Sequence, residues 1–219
     1  MKRIVGLTFG IACLAAALNA HATTGAELIV RGTIKPAACN LSLSAGGIID
    51  YGNIPSGSLL PTAFNPLSPK TAPLSVSCGT TPAKFGLRFV DLQASSKVTG
   101  ILGDLGTGYT EAHNYGLGTV AGRKTGGFAI NLKDLRTSST TLYPIMRVGT
   151  TGTWQNSDGK VAQSPSQYSW RNGATVTPAS ITQLTGTLEV RAVINKGQDL
   201  DLGRDTVIDG RATLELSYI

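Results

Sequence analysis

The sequence predicts an all-β chain folded as a sandwich or barrel. Three observations predict it. Apolar residues recur at every second position in short runs. Gly, Pro, Asn and Asp stand between those runs. No stretch carries the 3.6-residue period of an amphipathic helix. A two-residue period means one buried and one wet face per strand, and many such strands between tight turns suit two packed sheets or a closed one.

The runs follow in chain order. Residues 27–34 alternate through Leu28, Val30, Gly32 and Ile34. Residues 74–78 alternate and place Cys78 on the face of Leu74 and Val76. Phe85, Leu87 and Phe89 alternate with Gly86, Arg88 and Val90. Phe128, Ile130 and Leu132 alternate with Ala129, Asn131 and Lys133. Residues 142–148 read as a strand whose Pro144 favours an edge. Residues 187–195 put Leu188, Val190, Ala192 and Ile194 on one face. The chain closes with Ala212, Leu214, Leu216 and Tyr218 on one face and Thr213, Glu215 and Ser217 on the other. Three stretches read as loops: 52–73, rich in Pro and Ser; 100–125, rich in Gly; and 149–177, polar and carrying both tryptophans. The antibody-type core has a tryptophan between its two cysteines. Trp154 and Trp170 both follow Cys78, so that form of the sandwich is not indicated.

The first residues say where the chain goes. Met1-Lys2-Arg3 is basic, residues 4–18 are apolar, and Ala20-His21-Ala22 is a small-x-small triplet. That order is a secretory signal peptide, cleaved after Ala22. A membrane anchor is the rival, but the run is short of the roughly 20 apolar residues that span a bilayer. Cys13 lies inside the run, with apolar Leu14–Leu18 after it, which does not suit a lipidation site. Residues 23–219 then form one domain, long enough to bury a core. No later stretch is apolar enough to span a membrane. Lys2 and Arg3 carry two of the six units of formal positive charge, and the remaining basic residues are scattered. This is no nucleic-acid footprint.

Cys39 and Cys78 remain after cleavage, and an exported chain with two cysteines reads as a disulfide protein with one possible intramolecular pairing. A metal pair is the alternative, for which His113 is the only histidine left. An enzyme is not indicated. His113 sits alone in a Gly-rich stretch, with no nucleophile elbow and no phosphate cradle elsewhere. Asp199, Asp201, Asp205 and Asp209 are dense, but Lys196, Arg204 and Arg211 are interleaved. A solvated connection is the simpler reading, and calcium the alternative. No cofactor or catalytic residue is expected. Trp154 and Trp170, with Tyr168 and Arg171, are either a sugar-stacking surface or the apolar anchor of a long loop.

The segment Val30-Arg31-Gly32-Thr33-Ile34-Lys35-Pro36-Ala37-Ala38-Cys39 resembles the start of chaperone–usher pilus subunits. Val76-Ser77-Cys78 stands where they carry their second cysteine, and Leu214-Glu215-Leu216-Ser217-Tyr218-Ile219 is similar to their tail. Residues 36–43, the Asp50-Tyr51-Gly52 turn and the length look most like a pilin-like Gram-negative family without assigned function. The resemblance implies an immunoglobulin-like β-sandwich lacking its last strand, with one disulfide. A periplasmic chaperone, then the N-terminal extension of another subunit, would fill the gap by strand addition. It also implies an outer-membrane usher, partner pilus subunits and a place in a cell-surface fimbrium. The donor segment would be residues 23–32, with Ala26, Leu28, Val30 and Gly32 entering the groove. Leu214, Leu216 and Tyr218 would face it. The alternative function is a complete sandwich acting as a secreted or surface binding module, an adhesin that recognises a glycan or a host surface through Trp154 and Trp170.

Overall fold

The computed structural model describes residues 28–33 and 38–219. The chain divides into two units, Met1–Lys35 and Pro36–Ile219. The expected signal peptide and Ala26 lie outside the described residues. In the first unit residues 28–33 form no strand, where an alternating strand is expected over 27–34. An alternating strand with nothing beside it has no ladder partner to satisfy its N–H and C=O groups.

The second unit is all β, apart from short 3₁₀ turns. Its strands are β1 (Asn40–Leu43), β2 (Asn65–Pro66), β3 (Lys70–Ser77), β4 (Phe85–Asp91), β5 (Tyr115–Gly116), β6 (Thr119–Val120) and β7 (Arg123–Lys124), then β8 (Gly126–Arg136), β9 (Tyr143–Val148), β10 (Gln155–Asn156), β11 (Ser166–Arg171), β12 (Gln183–Ile194) and β13 (Ala212–Tyr218). The first sheet runs β1-β3-β12-β8-β5, with β2 also on β12. The second runs β10-β9-β11-β4-β13. A small hairpin pairs β6 with β7. Every pairing between named strands is antiparallel.

The two-residue period explains the core. Leu74 and Val76 of β3, Leu188 and Ala192 of β12, and Phe128 and Ile130 of β8 are buried on the first sheet. They meet Phe85, Leu87 and Phe89 of β4 and Tyr168 and Trp170 of β11 on the second. Phe85 and Trp170 meet edge to face, their centroids 4.8 Å apart. Such pairs add to the free energy of area burial alone. This is the sandwich that the alternation predicts. Cys39 and Cys78 are disulfide-bonded, which ties the residue before β1 to the residue after β3.

Two expectations are corrected by packing. The 149–177 loop contains β11, which lies between β4 and β9 and buries Tyr168 and Trp170. The 100–125 loop lies over the outer side of the first sheet. Its 3₁₀ turn Ile101–Leu105 buries Ile101, Leu102 and Leu105 against Ala129 and Val193. The strand β8 is therefore covered on both faces, and Ala129 and Asn131 are buried although the alternation marks them as wet.

Candidate functional site

The register of β13 on β4 decides which way its side chains point. Leu214 pairs with Phe89, Leu216 with Leu87 and Tyr218 with Phe85, and all three β4 partners are fully buried core residues. Leu214, Leu216 and Tyr218 therefore face inward. Yet Leu214 and Leu216 are only half-buried, and Tyr218 is 52% exposed. The cause is topological: β13 ends its sheet, and among the described residues no strand pairs with its outer edge. On the other layer, β1 likewise ends the first sheet.

Between these two edges lies an apolar groove of about 370 Å³. Its floor is the inner face of the first sheet: Phe128, Ile130, Leu188, Val190 and Ala192. One wall is Ala212 and Leu214 with Ile208 and Gly210. The other is Leu43, Ile48, Ile49 and Tyr51. A second concavity of about 350 Å³, lined by Ile54, Leu59, Leu200 and Leu202 among others, shares Ile208 and extends the groove. Ile48 is 73% exposed at the rim.

Three contacts fix the groove's shape. At one end the Cys39 N–H donates to the Tyr218 hydroxyl oxygen at 2.7 Å, linking the two edges. The Tyr51 hydroxyl donates to the Val190 carbonyl at 3.1 Å and holds residues 48–54 over the floor; burial raises the Tyr51 pKa above the ordinary phenol value. At the far end Gly210 passes so close to Phe128 that a Cβ there would sit 2.7 Å from the ring. Only glycine lets the backbone approach the floor this closely.

The remaining expected residues fall elsewhere. Leu28 and Val30 are each 87% exposed, and Gly32 has open space around its Cα. Trp170 does not belong to a ligand surface: it is fully buried on Phe85. A strand period that reaches Trp170 turns it into the core, so the pairing of Trp154 with Trp170 is dissolved. Trp154 is half-buried and lies under the guanidinium of Arg147. His113 packs edge-on to Tyr109, and its Nδ1 accepts from the Thr110 backbone N–H and is hydrogen-bonded to the Thr110 hydroxyl. Asp201 pairs with Arg204 and Asp209 with Arg211, the solvated connection the sequence suggests. Among the described residues no three His, Cys, Asp or Glu side chains gather as a metal site, and no helix is long and apolar enough to cross a membrane. The sequence reading missed the wall built from Leu43, Ile49, Tyr51 and Ile208. The signal available for it was the apolar content of residues 48–60, a stretch read as loop from residue 52 on.

Residues 28–129 match the family described as Protein of unknown function (DUF1120). That span includes the Leu28–Val30 segment, the β1 side of the groove and part of its floor. Over nearly its whole length the chain is similar to Protein GltF of Escherichia coli (strain K12). The two are 28% identical over 253 aligned residues, which cover 97% of this chain and 98% of that protein.

Proposed function

We propose that this protein is a structural subunit of a fimbria-like surface fibre, assembled by strand addition at the groove between β1 and β13. One observation carries the reading: the core-facing Leu214 of a sheet-edge strand, like Leu216 beside it, is half-buried, and Leu214 stands over an open apolar floor. A sheet edge with its apolar face uncovered is an aggregation hazard unless something pairs with it. A strand laid along β13 would satisfy its free N–H and C=O groups and place alternate side chains on the floor. The segment around Leu28-Ile29-Val30 has the matching alternation, and another copy of it is the proposed donor. The periplasmic chaperone and the outer-membrane usher are the partners that this mode of assembly calls for. The disulfide suits an oxidising compartment. The role is structural, without a catalytic step.

The test is expression of residues 23–219 in an oxidising compartment, with and without a pilus chaperone, followed by size-exclusion chromatography. A subunit with an unfilled groove aggregates or is degraded alone and elutes as a 1:1 complex with the chaperone. A stable monomer, soluble without the chaperone and unable to bind it, would refute the proposal.

A further inference from the structure

The outward face of the second sheet is not used by strand addition, and its side chains form a pattern of their own. The register sets Glu215 beside Arg88, Arg88 beside Gln167, and Gln167 beside Arg147 in a single cross-strand row. Trp154, one residue before β10, continues that row: the Arg147 guanidinium carbon is 4.6 Å from its ring centroid. Four positions along the strands, Arg171 pairs with Tyr143, with its guanidinium carbon 4.9 Å from that ring. Ile145 and Ser169 lie between the two stacked pairs. Both point outward, yet both are fully buried. Long side chains lying flat across the sheet account for that burial.

Both guanidinium groups are oriented. The Arg147 Nε donates to Gln167 Oε1 at 2.8 Å, and the Gln167 Nε2 donates to Ser217 Oγ at 2.6 Å. The Arg171 Nε donates to Asn156 Oδ1 at 3.0 Å, and its Nη1 donates to the Gly173 carbonyl. Among the described residues none of Arg88, Arg147 and Arg171 has a carboxylate at ion-pair distance, although five such pairs form elsewhere. Glu215 is the only acid that these strands turn outward, and it stands at the sheet edge. The face is thus cationic, pre-oriented and interleaved with aromatic rings.

Each component selects a chemistry. A guanidinium stacked on a ring offers an oxyanion the N–H groups it has not donated within the protein, which are the two terminal amino groups of Arg147 and one of those of Arg171. An aromatic face beside it suits the apolar face of a sugar ring. With a rise of about 3.4 Å per residue and about 4.8 Å between strands, Arg147 and Arg171 are roughly 14 Å apart and Arg88 is about 10 Å from Arg147. A small ion would touch one of them. An extended polymer with repeated negative charges touches all three. We propose that this outward face binds an anionic polysaccharide, one bearing uronic carboxylates or sulfates. Trp154 and Tyr143 would stack on its sugar rings, and Arg88, Arg147 and Arg171 would hold its charges. The inference does not depend on the fibre reading, because the groove opens on the other side of β13.

The experiment measures binding of the oxidised, purified protein to immobilised polygalacturonate and to neutral dextran, in its chaperone complex if it is not soluble alone. Binding to polygalacturonate but not to dextran is expected, weakening steeply as salt rises from about 50 mM toward 300 mM. The double variant Arg147→Ala/Arg171→Ala is expected to bind at least about tenfold more weakly, a difference of ~1.4 kcal/mol. Arg147→Lys/Arg171→Lys keeps the charge but loses the planar fork and is expected to recover less than half of that loss. Arg123→Ala, on the separate β6–β7 hairpin, is the control and should change nothing. If the double alanine variant fails to fold, Arg88→Ala, whose guanidinium stacks on no ring, is expected to weaken binding about threefold. No binding at low salt overturns the proposal. So does a double variant that folds and binds like the parent, or equal affinity for duplex DNA or anionic vesicles, which would mark a general polyanion surface.

Discussion

If the groove accepts a strand, a peptide of residues 23–33 should stabilise the protein, and the size of the effect follows from the fold. Leu28 and Val30 are 87% exposed, and on the groove floor each would be buried. Full burial of such a side chain contributes about 1.5–3 kcal/mol, so the pair contributes roughly 3–6 kcal/mol before ordering costs. Replacing both with Asp should therefore raise the Kd at least a hundredfold, at about 1.4 kcal/mol per factor of ten. Peptide at a hundred times its Kd adds about 2.7 kcal/mol to the apparent stability. Residues 38–219, at about 2.1 cal/mol/K each, have an unfolding entropy near 0.38 kcal/mol/K. The expected rise in Tm is then about 7 °C. Differential scanning fluorimetry, on protein released from its chaperone or soluble alone, measures it directly. The groove reading fails if Tm does not move up to millimolar peptide. It fails equally if the double-Asp peptide stabilises as well as the parent.

Three further predictions concern the scaffold. Cys39→Ser/Cys78→Ser opens a loop with a sequence separation of 39; about 4 kcal/mol should be lost on the chain-entropy account, read as a lower guanidinium midpoint with a raised m-value, because the denatured chain without its cross-link exposes more surface. Trp170→Ala empties a fully buried site and should cost about 3–5 kcal/mol, whereas Trp154→Ala gives up chiefly its contact with Arg147 and should cost about 1 kcal/mol, both measured by denaturant titration. Burial lowers the His113 pKa below its unfolded value of 6.5. The unfolded state therefore binds the proton first, and stability should fall as the pH drops below the unfolded value and level off below the folded one. His113→Gln should flatten that part of the stability–pH curve.

The strands that were legible in the sequence are those with one wet face or long unbroken alternation. In β4, Phe85, Leu87 and Phe89 declare the buried side. In β13, Leu214 and Leu216 do the same. β11 was illegible because Ser-Gln-Tyr-Ser-Trp-Arg alternates aromatics with small polar groups inside a polar stretch; its outward Gln167 and Ser169 are buried all the same, Gln167 hydrogen-bonded to the Arg147 beside it and Ser169 to the Phe85 carbonyl. β1 is four residues long and follows a cysteine, too short for a period to be counted. In the 100–125 segment the glycines concealed the burial of Ile101, Leu102 and Leu105, since the sheet face they cover was assumed to be wet. The groove shows the same limit: its β13 wall is written in adjacent residues, while Leu43, Tyr51, Val190 and Ile208 meet only when two sheets close over one another.

The two proposed surfaces meet at β13, and the meeting has a consequence. Strand addition beside β13 would extend the second sheet by one strand. A donor that turns Ala26, Leu28 and Val30 to the floor must turn Glu27, Ile29 and Arg31 outward, because successive side chains alternate. Its outward residues would then continue the face that carries Glu215, Arg88, Gln167, Arg147 and Trp154. Glu215 ceases to be an edge residue and gains a neighbour from the donor. Where Arg31 falls beside it, the lone acid is paired; where Glu27 does, two like charges oppose each other, and that register is disfavoured. Charge on the outside would thus narrow the choice among the registers that keep the apolar side chains inside. The donor's outward Glu27 and Arg31 cancel, so polysaccharide affinity per subunit in a fibre would stay close to that of the monomer, and Arg31→Glu would lower it. Comparing wild-type and Arg31→Glu fibres on polygalacturonate separates this coupling from simple multivalency, which the substitution leaves intact.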